Sequence, residues 1–176
     1  MIQKALDHLP TRTEKEKVSL SGDFIVTDTI KIPSYTILEL KGSIKLANNL
    51  NKLLVQEINP IGENTDIVMI GGTYDGNKEN QDLTGASSHV IRFTKVANSH
   101  FKDIVVQNAV NDNFSLDIGC NNNLCENIIG KLAGTGASTT NDGNGLIDRG
   151  DHNIWIDCIS EDNFSDCWVI KCRDSK

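Results

Sequence analysis

The sequence predicts an all-β fold, a β-solenoid in which short parallel strands stack coil upon coil behind a short N-terminal helix. Two observations predict it. Apolar runs of three to five residues alternate with polar residues and end at Gly, Asp, Asn or Ser, which is typical of strands with tight corners. A polar corner motif then recurs at intervals of 23 to 34 residues, and periods of this size indicate solenoids.

The N-terminal segment is amphipathic. From Ile2 to Leu9 the apolar residues follow the i, i+3, i+4, i+7 spacing of one helix face, and Pro10 ends the pattern. We expect residues 1–10 to form a capping helix, because the open edge of a first coil would otherwise invite aggregation. Residues 11–176 are expected to form the coils.

The strands predicted in the first coils follow directly from the apolar runs. Each run alternates apolar and polar residues, so that one face turns inward. The predicted strands are Val18–Leu20, Phe24–Val26, Ile30–Ile32, Thr36–Leu40 and Ser43–Leu46.

The second half repeats a corner of polar residues before an apolar one. The apolar anchors are Ile67, Phe101, Leu124 and Ile154, separated by 34, 23 and 30 residues, and we expect them to stack in one interior column. At about 25 residues per coil the chain makes roughly six or seven coils. Asn accounts for 19 residues and Ile for about as many. This excess fits Asn stacks at corners, where Asn tolerates the left-handed turn, and apolar stacks inside.

Charge and hydropathy exclude some classes of partner. Lys and Arg number 17 against 24 Asp and Glu, a net charge of −7, which argues against nucleic acid or an anionic membrane as the partner. No run approaches the ~20 apolar residues that a spanning helix needs. The first ten residues carry no signal-peptide core, so a secreted protein would lose its signal before Met1. Residues 171–176 end where a next corner is due, so we expect a longer chain or a cap from another chain.

The chain resembles the right-handed parallel β-helix of the pectin-lyase-like superfamily. The similar segments are Thr29–Ser34 and Gly71–Asn77, and, toward glycoside hydrolase family 28 (the polygalacturonases), His89–Phe93 with Asn98–Asn108. The family signature is specific over residues 142–171. The resemblance implies a single-stranded right-handed parallel β-helix that acts on or binds a polysaccharide, needs no cofactor, and works outside the cell, at a cell surface or on a virion.

The catalytic motifs of that family are degenerate in this chain. Asp142-Gly143-Asn144 lies where the family has Asn-Thr-Asp, and Ser165-Asp166 lies where it has Asp-Asp, so one expected carboxylate, Asp166, is in register. An inverting glycosidase needs an acid and a base about 6.5–9.5 Å apart. Asp142, shifted by two residues, is the candidate partner of Asp166 or Asp162. Because Asn144 and Ser165 replace carboxylates, we expect no measurable polygalacturonase activity.

The same resemblance implies a ligand strip across adjacent coils. Asp142, Asn144, Asp166 and Lys171 share the register that the family uses for substrate. Lys171 supplies a charge for a carboxylate or sulfate, and the acids accept hydrogen bonds from hydroxyls. Trp168 is a further candidate for sugar stacking. For Trp168 and for the other tryptophan, Trp155, burial in the core is the alternative.

Two other functional hypotheses stay open. Asp148, Asp151 and His152 surround Arg149, which suits a polysaccharide lyase or C5-epimerase with Arg149 binding a uronate carboxylate. The alternative is a solvated corner with an Asp148–Arg149 surface pair. A non-catalytic β-helix is the other hypothesis, either a cell-surface shaft or a phage tailspike, which would be a homotrimer.

Metal and redox signals are weak. The chain contains an odd number of cysteines, with spacings unlike those of zinc sites, and they fit buried small hydrophobes, with a disulfide or metal as the alternatives: Cys120, Cys125, Cys158, Cys167 and Cys172. Asp75-Gly76-Asn77 favours a turn over a calcium loop, because further acidic ligands are missing. His89 and His100 fit strand edges. No metal site is predicted.

Overall fold

The structure is a computed structural model that describes residues 2–9, 14–82, 89–135 and 143–170. In these ranges it contains one α-helix, α1 (Ile2–Asp7), a 3₁₀ turn at Lys78–Asn80, and strands that make up most of the remaining regular structure. The strands in chain order are β1 (Glu16–Val26), β2 (Ile30–Ile32), β3 (Thr36–Leu46), β4 (Val55–Glu57), β5 (Asn64–Thr65), β6 (Val68–Ile70), β7 (Thr73–Asp75), β8 (Ile91–Phe93), β9 (Val96–Ala97), β10 (His100–Gln107), β11 (Phe114–Leu116), β12 (Leu124–Lys131), β13 (Leu146–Asp148), β14 (Ile154–Ile156), β15 (Ile159–Glu161) and β16 (Trp168–Ile170).

The strands form three sheets in which neighbouring strands run parallel. The first sheet has the order β1-β3-β6-β10-β12-β14, with β7 and β15 continuing the lines of β6 and β14. The second has the order β2-β4-β8-β11-β13-β16. The third pairs β5 with β9 and is extended by bridges from Ala97 to Asn121 and from Asn121 to Asp151. The chain alternates between the first two sheets. We call one pass through the first sheet followed by one pass through the second a winding, and the described ranges contain six windings.

The five predicted strands of the first windings are present, but they form three strands. The two predicted segments on either side of Gly22 join into β1, and those on either side of Gly42 join into β3. Gly22 and Gly42 are paired in register, with φ values of +118° and +135°. A Cβ on Gly42 would collide with the Gly22 carbonyl, so this close approach requires glycine.

The interior is built from columns of residues that repeat in register. In the first sheet one inward column consists of Val18, Leu38, Met69, Phe101, Cys125 and Trp155. In the second sheet the facing column consists of Ile30, Val55, Ile91, Phe114, Leu146 and Trp168. Rings connect the two sheets: the Phe101 centroid lies 5.4 Å from that of Phe114 and 5.0 Å from that of Phe93. These contacts define one apolar core between the sheets.

The predicted interior column of Ile67, Phe101, Leu124 and Ile154 is wrong. Phe101 points inward. Leu124 and Ile154 pair with each other one position before the inward pair of Cys125 and Trp155, and Ile154 is 57% exposed. The left-handed corner residue sets the register, and the four anchors follow it at distances of one, three, two and two residues. Side chains alternate along a strand, so a shift of one residue moves a side chain to the opposite face.

The predicted stacking of polar residues at corners is confirmed. The Ile67 N–H donates to Ser99 Oγ (2.9 Å), the Ser99 N–H to Asn123 Oδ1 (3.0 Å), and the Asn123 N–H to Asn153 Oδ1 (3.0 Å). The Asn123 side chain also donates to the Val96 carbonyl at 2.9 Å. This ladder satisfies backbone groups that a tight corner leaves without strand partners.

The residue before each rung of this ladder adopts the left-handed conformation. Asp66, Asn98, Asn122 and His152 have φ values of 59°, 50°, 54° and 55°. Asn and Asp populate this region more readily than most L-residues because their short polar side chains hydrogen-bond locally. The polar corners therefore both turn the chain and keep the windings in register.

The short N-terminal helix is present and ends at Asp7, while Pro10 lies outside the described residues. Ile2 and Leu6 are buried in the core. The Gln3 side chain accepts from the Lys31 N–H (2.8 Å) and donates to the Lys31 carbonyl (3.1 Å). Gln3 thus satisfies the free backbone groups at the centre of edge strand β2, as a neighbouring strand would.

Candidate functional site

The outer face of the second sheet carries the most distinctive charged arrangement in the described ranges. In β8, Ile91 and Phe93 are fully buried, so Arg92 between them is directed outward. Asp117 follows β11 and Arg149 follows β13, and the pairing of Leu116 with Asp148 makes Asp117 and Arg149 neighbours on adjacent windings. Strand alternation and register therefore bring the three charged side chains together.

Asp117 holds both arginines. Its Oδ2 accepts hydrogen bonds from Arg92 Nε (3.0 Å) and Nη2 (2.6 Å). Its Oδ1 accepts from Arg149 Nη1 (3.5 Å) and from the Ile118 N–H (3.1 Å). We call Arg92 and Arg149, held in this way, the arginine pair.

The charge state of this group is well defined. Burial alone would raise the pKa of Asp117, but the hydrogen bonds and positive charge of Arg92, with the Ile118 N–H and Arg149, hold it below its usual value. The Asp117 side chain is 8% exposed, whereas Arg92 is 42% and Arg149 25% exposed. The two guanidinium groups outnumber the Asp117 carboxylate at the surface. The buried Glu57, whose pKa burial raises, is a further acidic group near Arg92 and Asp117. The remaining guanidinium N–H groups suit a carboxylate or sulfate ligand.

A second polar group lies at the other end of the same strands. The first residues of β8, β11, β13 and β16 are aligned in register. Two positions before each of them lies a polar residue: His89, Asp112, Asn144 and Asp166. We call them the polar column. His89 Nδ1 lies 3.2 Å from Asp112 Oδ2, and both side chains are buried. Asp112 Oδ1 accepts from the Asn144 N–H (3.0 Å) and Nδ2 (2.9 Å).

The polar column is held mainly by internal bonds. Asn144 Oδ1 accepts from the Asp166 N–H at 3.2 Å, so the Asn144 side chain is used on both sides. Burial would raise the pKa of Asp112, but hydrogen bonding and charge from His89 and the bonds from Asn144 lower it overall. Asn144 is 2% exposed, while Asp166 is exposed. Within the described ranges this column links windings, and only its Asp166 end reaches solvent.

The predicted ligand strip is described in part. Asp142 and Lys171 lie outside the described residues. Asn144 and Asp166 are adjacent in the polar column, as the register predicts. Asp162 is exposed at a left-handed corner. The catalytic role of Asp142 with Asp166 stays a prediction.

The structure contradicts the alternative of an Asp148–Arg149 surface pair and directs Asp148 away from Arg149. Asp148 is 3% exposed and accepts from the Gly150 N–H, Asn153 Nδ2 and Trp155 Nε1 at 2.9, 2.9 and 2.8 Å. Consecutive residues of a strand face opposite sides, so Asp148 turns inward and Arg149 turns outward to Asp117. His152 is an exposed corner residue.

The two tryptophans lie in the inward columns. The rings of Trp155 and Trp168 meet edge to face with centroids 5.2 Å apart, and both pack against the core. The geometry favours the burial alternative for both side chains. A sugar-stacking role for Trp168 stays a prediction.

The cysteines in the described ranges are free thiols. Cys120 and Cys125 are buried, and Cys172 lies outside these ranges. Burial raises the pKa of Cys120 to about 12 and that of Cys125 well above its usual value, so neither is a reactive thiolate at neutral pH. No group of three or more His, Cys, Asp or Glu in the described part of the chain is arranged to hold a metal ion. Asp75 accepts from Asn77, Gln107 and Asn108, as in a turn between windings.

Sequence reasoning missed Arg92, Asp117 and the pairing of His89 with Asp112. The signal for Arg92 was present: a cation between two apolar residues of a predicted strand must face outward. Asp117 gave a weaker signal, because its alignment with Arg149 depends on strand register. The segments between strands vary in length, so the sequence alone does not supply that register.

Comparisons of the chain with protein-family models, with curated proteins and with solved structures gave no match. In the ranges that the structure describes, no helix combines the length and apolar character needed to cross a membrane. The geometry of the outer faces of the sheets is therefore the basis for assigning a function to this chain.

Proposed function

We propose that this chain is a single-stranded right-handed parallel β-helix of the pectin-lyase-like type that binds an acidic polysaccharide on the outer face of its second sheet. The observation that carries the proposal is the arginine pair. Its two guanidinium groups lie on the windings on either side of Asp117, and this carboxylate, itself nearly inaccessible, fixes both of them. Such a pair is preorganised for anionic groups on a ligand, which reduces the entropic cost of binding.

The topology supports the proposed handedness and fold type. Each winding pairs in parallel with the next in both long sheets, and the return between parallel strands passes through the other sheets. A crossover between parallel strands of one sheet is right-handed in about 98% of cases. The Asn and Ser ladder at the corners is consistent with windings that stack directly on one another.

The outer face offers more than the arginine pair. Lys31 and Gln56 align in register on β2 and β4, in the strand-centre positions that correspond to Arg92 on β8. Neighbouring windings are about 4.8 Å apart, so Lys31, Gln56 and Arg92 recur at intervals that suit an extended sugar chain. The next two positions of this row, Ser115 and Ile147, are buried. An overall charge of −7 opposes binding of a polyanion, and the local cations are what would offset it.

The proposal concerns binding, with hydrolysis as a separate question. The expected carboxylate positions of the hydrolase motif hold Asn144 and Ser165, and Asn144 is engaged with Asp112 and Asp166. We propose an extracellular, cell-surface or virion-surface setting, as the resemblance implies. A structural shaft without a glycan ligand is the competing function that the experiment below addresses.

Calorimetric titration tests the proposal with two matched ligands, oligogalacturonate and its methyl ester, which lacks the negative charges. We expect the acid to bind, with an affinity that falls as salt is added. Arg92→Ala/Arg149→Ala should lose at least about tenfold, or about 1.4 kcal/mol. The matched control is Lys41→Ala/Lys45→Ala, which removes two exposed cations of the first sheet.

A further variant separates charge from geometry. Arg92→Lys/Arg149→Lys keeps both charges but loses the planar forks, and it should bind more weakly than wild type. Equal binding by wild type, the alanine pair and the control pair would contradict the proposed site. No binding by wild type to either ligand, or to alginate and sulfated oligosaccharides, would favour the structural shaft.

A further inference from the structure

A groove of about 1000 Å³ lies on the outer side of the third sheet, separate from the arginine pair. Its floor follows three windings, where Thr65, Ala97 and Asn121 align through β5, β9 and the bridge to Asn121. The residues directly before Thr65 and Ala97 turn inward: Asn64 and Val96 are buried. The floor is therefore the outward face of this small sheet.

One wall of the groove is a turn fixed from two sides. The buried Asn64 side chain donates to the carbonyls of Asn59 (2.8 Å) and Gly62 (3.2 Å). From the next winding, Lys95 Nζ donates to the Ile61 carbonyl at 2.8 Å. Both ties hold the wall in place without a ligand, as in preformed binding sites.

Small residues keep the groove open beside Lys95. Gly119 has a φ of +89°, and a Cβ there would lie 2.8 Å from Lys95 Cγ. A larger residue at this position would be strained and would displace the lysine that ties the wall. Ala97 is the other small residue of the lining.

The lining carries balanced charge and mixed hydrogen-bonding groups. Glu63 and Lys95 supply one charge of each sign, and Asn98 supplies an amide. The Asn121 amide is already engaged: its Nδ2 donates to the Gly119 carbonyl (3.2 Å) and its Oδ1 accepts from Asn122 Nδ2 (3.0 Å). The Asn98 amide makes a single long bond, 3.4 Å from Nδ2 to Thr65 Oγ1. Ile61, 84% exposed, adds an apolar contact at the rim. Hydroxyl groups need both donors and acceptors, which this lining supplies. A charged ligand would be repelled by whichever of Glu63 and Lys95 carries the same sign of charge.

We infer that this groove is a second carbohydrate site, which takes a neutral, hydroxyl-rich sugar independently of the arginine pair. Sugar hydroxyls bind the Glu63 carboxylate, the Asn98 amide and the remaining Lys95 protons. The apolar face of the sugar ring packs on Ile61. The inference does not depend on the proposed acidic ligand, because the two sites use different residues on different sheets.

The test is calorimetric titration of the chain with neutral hexasaccharides of glucose, mannose, xylose and galactose. We expect at least one to bind. Asn98→Gly and Glu63→Gln should each weaken that binding about tenfold. Glycine accepts the left-handed φ of 50° at position 98, so this variant keeps the corner. Asn49→Gly is the matched control: Asn49 is an exposed left-handed asparagine, with a φ of 58°, outside the groove lining.

The two proposals fail in distinguishable ways. Neutral-sugar binding that disappears in Arg92→Ala/Arg149→Ala but survives in Asn98→Gly would overturn the groove site. Absence of binding by all four neutral sugars, with oligogalacturonate still bound, would also overturn only this inference. Neutral-sugar binding that is lost in Asn98→Gly and kept in Asn49→Gly supports the groove, whatever the arginine pair does.

Discussion

Truncation of Phe101 to alanine should destabilise the chain far more than truncation of Leu124, although both were expected in one interior column. Phe101 is fully buried, and its ring contacts those of Phe93 and Phe114, with centroids 5.0 and 5.4 Å away. Leu124 is half-buried on the opposite face of the neighbouring strand. The comparison therefore tests the register of the first sheet by free energy.

The magnitudes follow from burial. A fully buried Phe→Ala change costs about 3–5 kcal/mol, from lost transfer free energy plus the cavity left behind. The two ring contacts, worth about 0.5–1.5 kcal/mol each, favour the upper half of that range. Leu124→Ala removes a side chain that is already in contact with solvent, and we expect a cost of about 1 kcal/mol or less.

Urea unfolding gives the free energy of unfolding of both variants and thermal unfolding gives their Tm, with the fluorescence of Trp155 and Trp168 as the probe. In a chain of this size, each kcal/mol shifts Tm by about 2–4 °C, so Phe101→Ala should lower Tm by about 6–20 °C. Phe101→Leu is the milder control and should cost clearly less than alanine. A cost for Leu124→Ala equal to or above that of Phe101→Ala would refute the inward assignment of Phe101.

Three further perturbations test other parts of the structure. Burial raises the pKa of Glu57 from its usual 4.5, so the stability it contributes is present below that pH and is lost as pH rises through the folded-state value. Glu57→Gln, which stays neutral, should gain Tm relative to wild type as pH rises above 4.5; a constant offset would contradict this. Asp117→Asn should cost about 1–2 kcal/mol at neutral pH, discounted because Arg92 is partly exposed. The difference in the free energy of unfolding between Asp117→Asn and wild type should shrink as pH falls below 3.8. Asp117 has a lowered pKa in the folded state, so its stabilising effect is lost as pH falls through that folded-state value; a difference that grows in acid would be inconsistent. Asn123→Ala leaves the Ser99 N–H without its partner, at about 1–3 kcal/mol in chemical unfolding; an effect no larger than that of Asn122→Gly would show that the ladder contributes little.

The fold class was accessible from the sequence because its signals are local. The alternation in Val18–Leu20 and Thr36–Leu40 predicts strands wherever the chain goes next. The helix spacing from Ile2 to Leu9 is also local. The excess of Asn reports a stack of corners, since corner residues meet their equivalents in the next winding.

Register was not accessible in the same way. It depends on which polar residue adopts the left-handed conformation, and several consecutive polar residues compete at each corner, as at Asn121 to Asn123. In the structure Asn122 takes that role. An error of one residue places Leu124 inward, whereas in the structure Leu124 faces outward and Cys125 inward. The site inherits this problem, because the contact of Arg149 with Asp117 exists only in the correct register.

The measurement that tests the central claim most directly is a nuclear magnetic resonance titration of the ¹⁵N-labelled chain with oligogalacturonate. The side-chain Nε–H signals of Arg92 and Arg149 report on the proposed contacts without any substitution. The account predicts that these two signals shift together in one saturating step, accompanied by the backbone amide of Ile118. Binding that leaves both arginine signals unchanged while shifting residues elsewhere would contradict it.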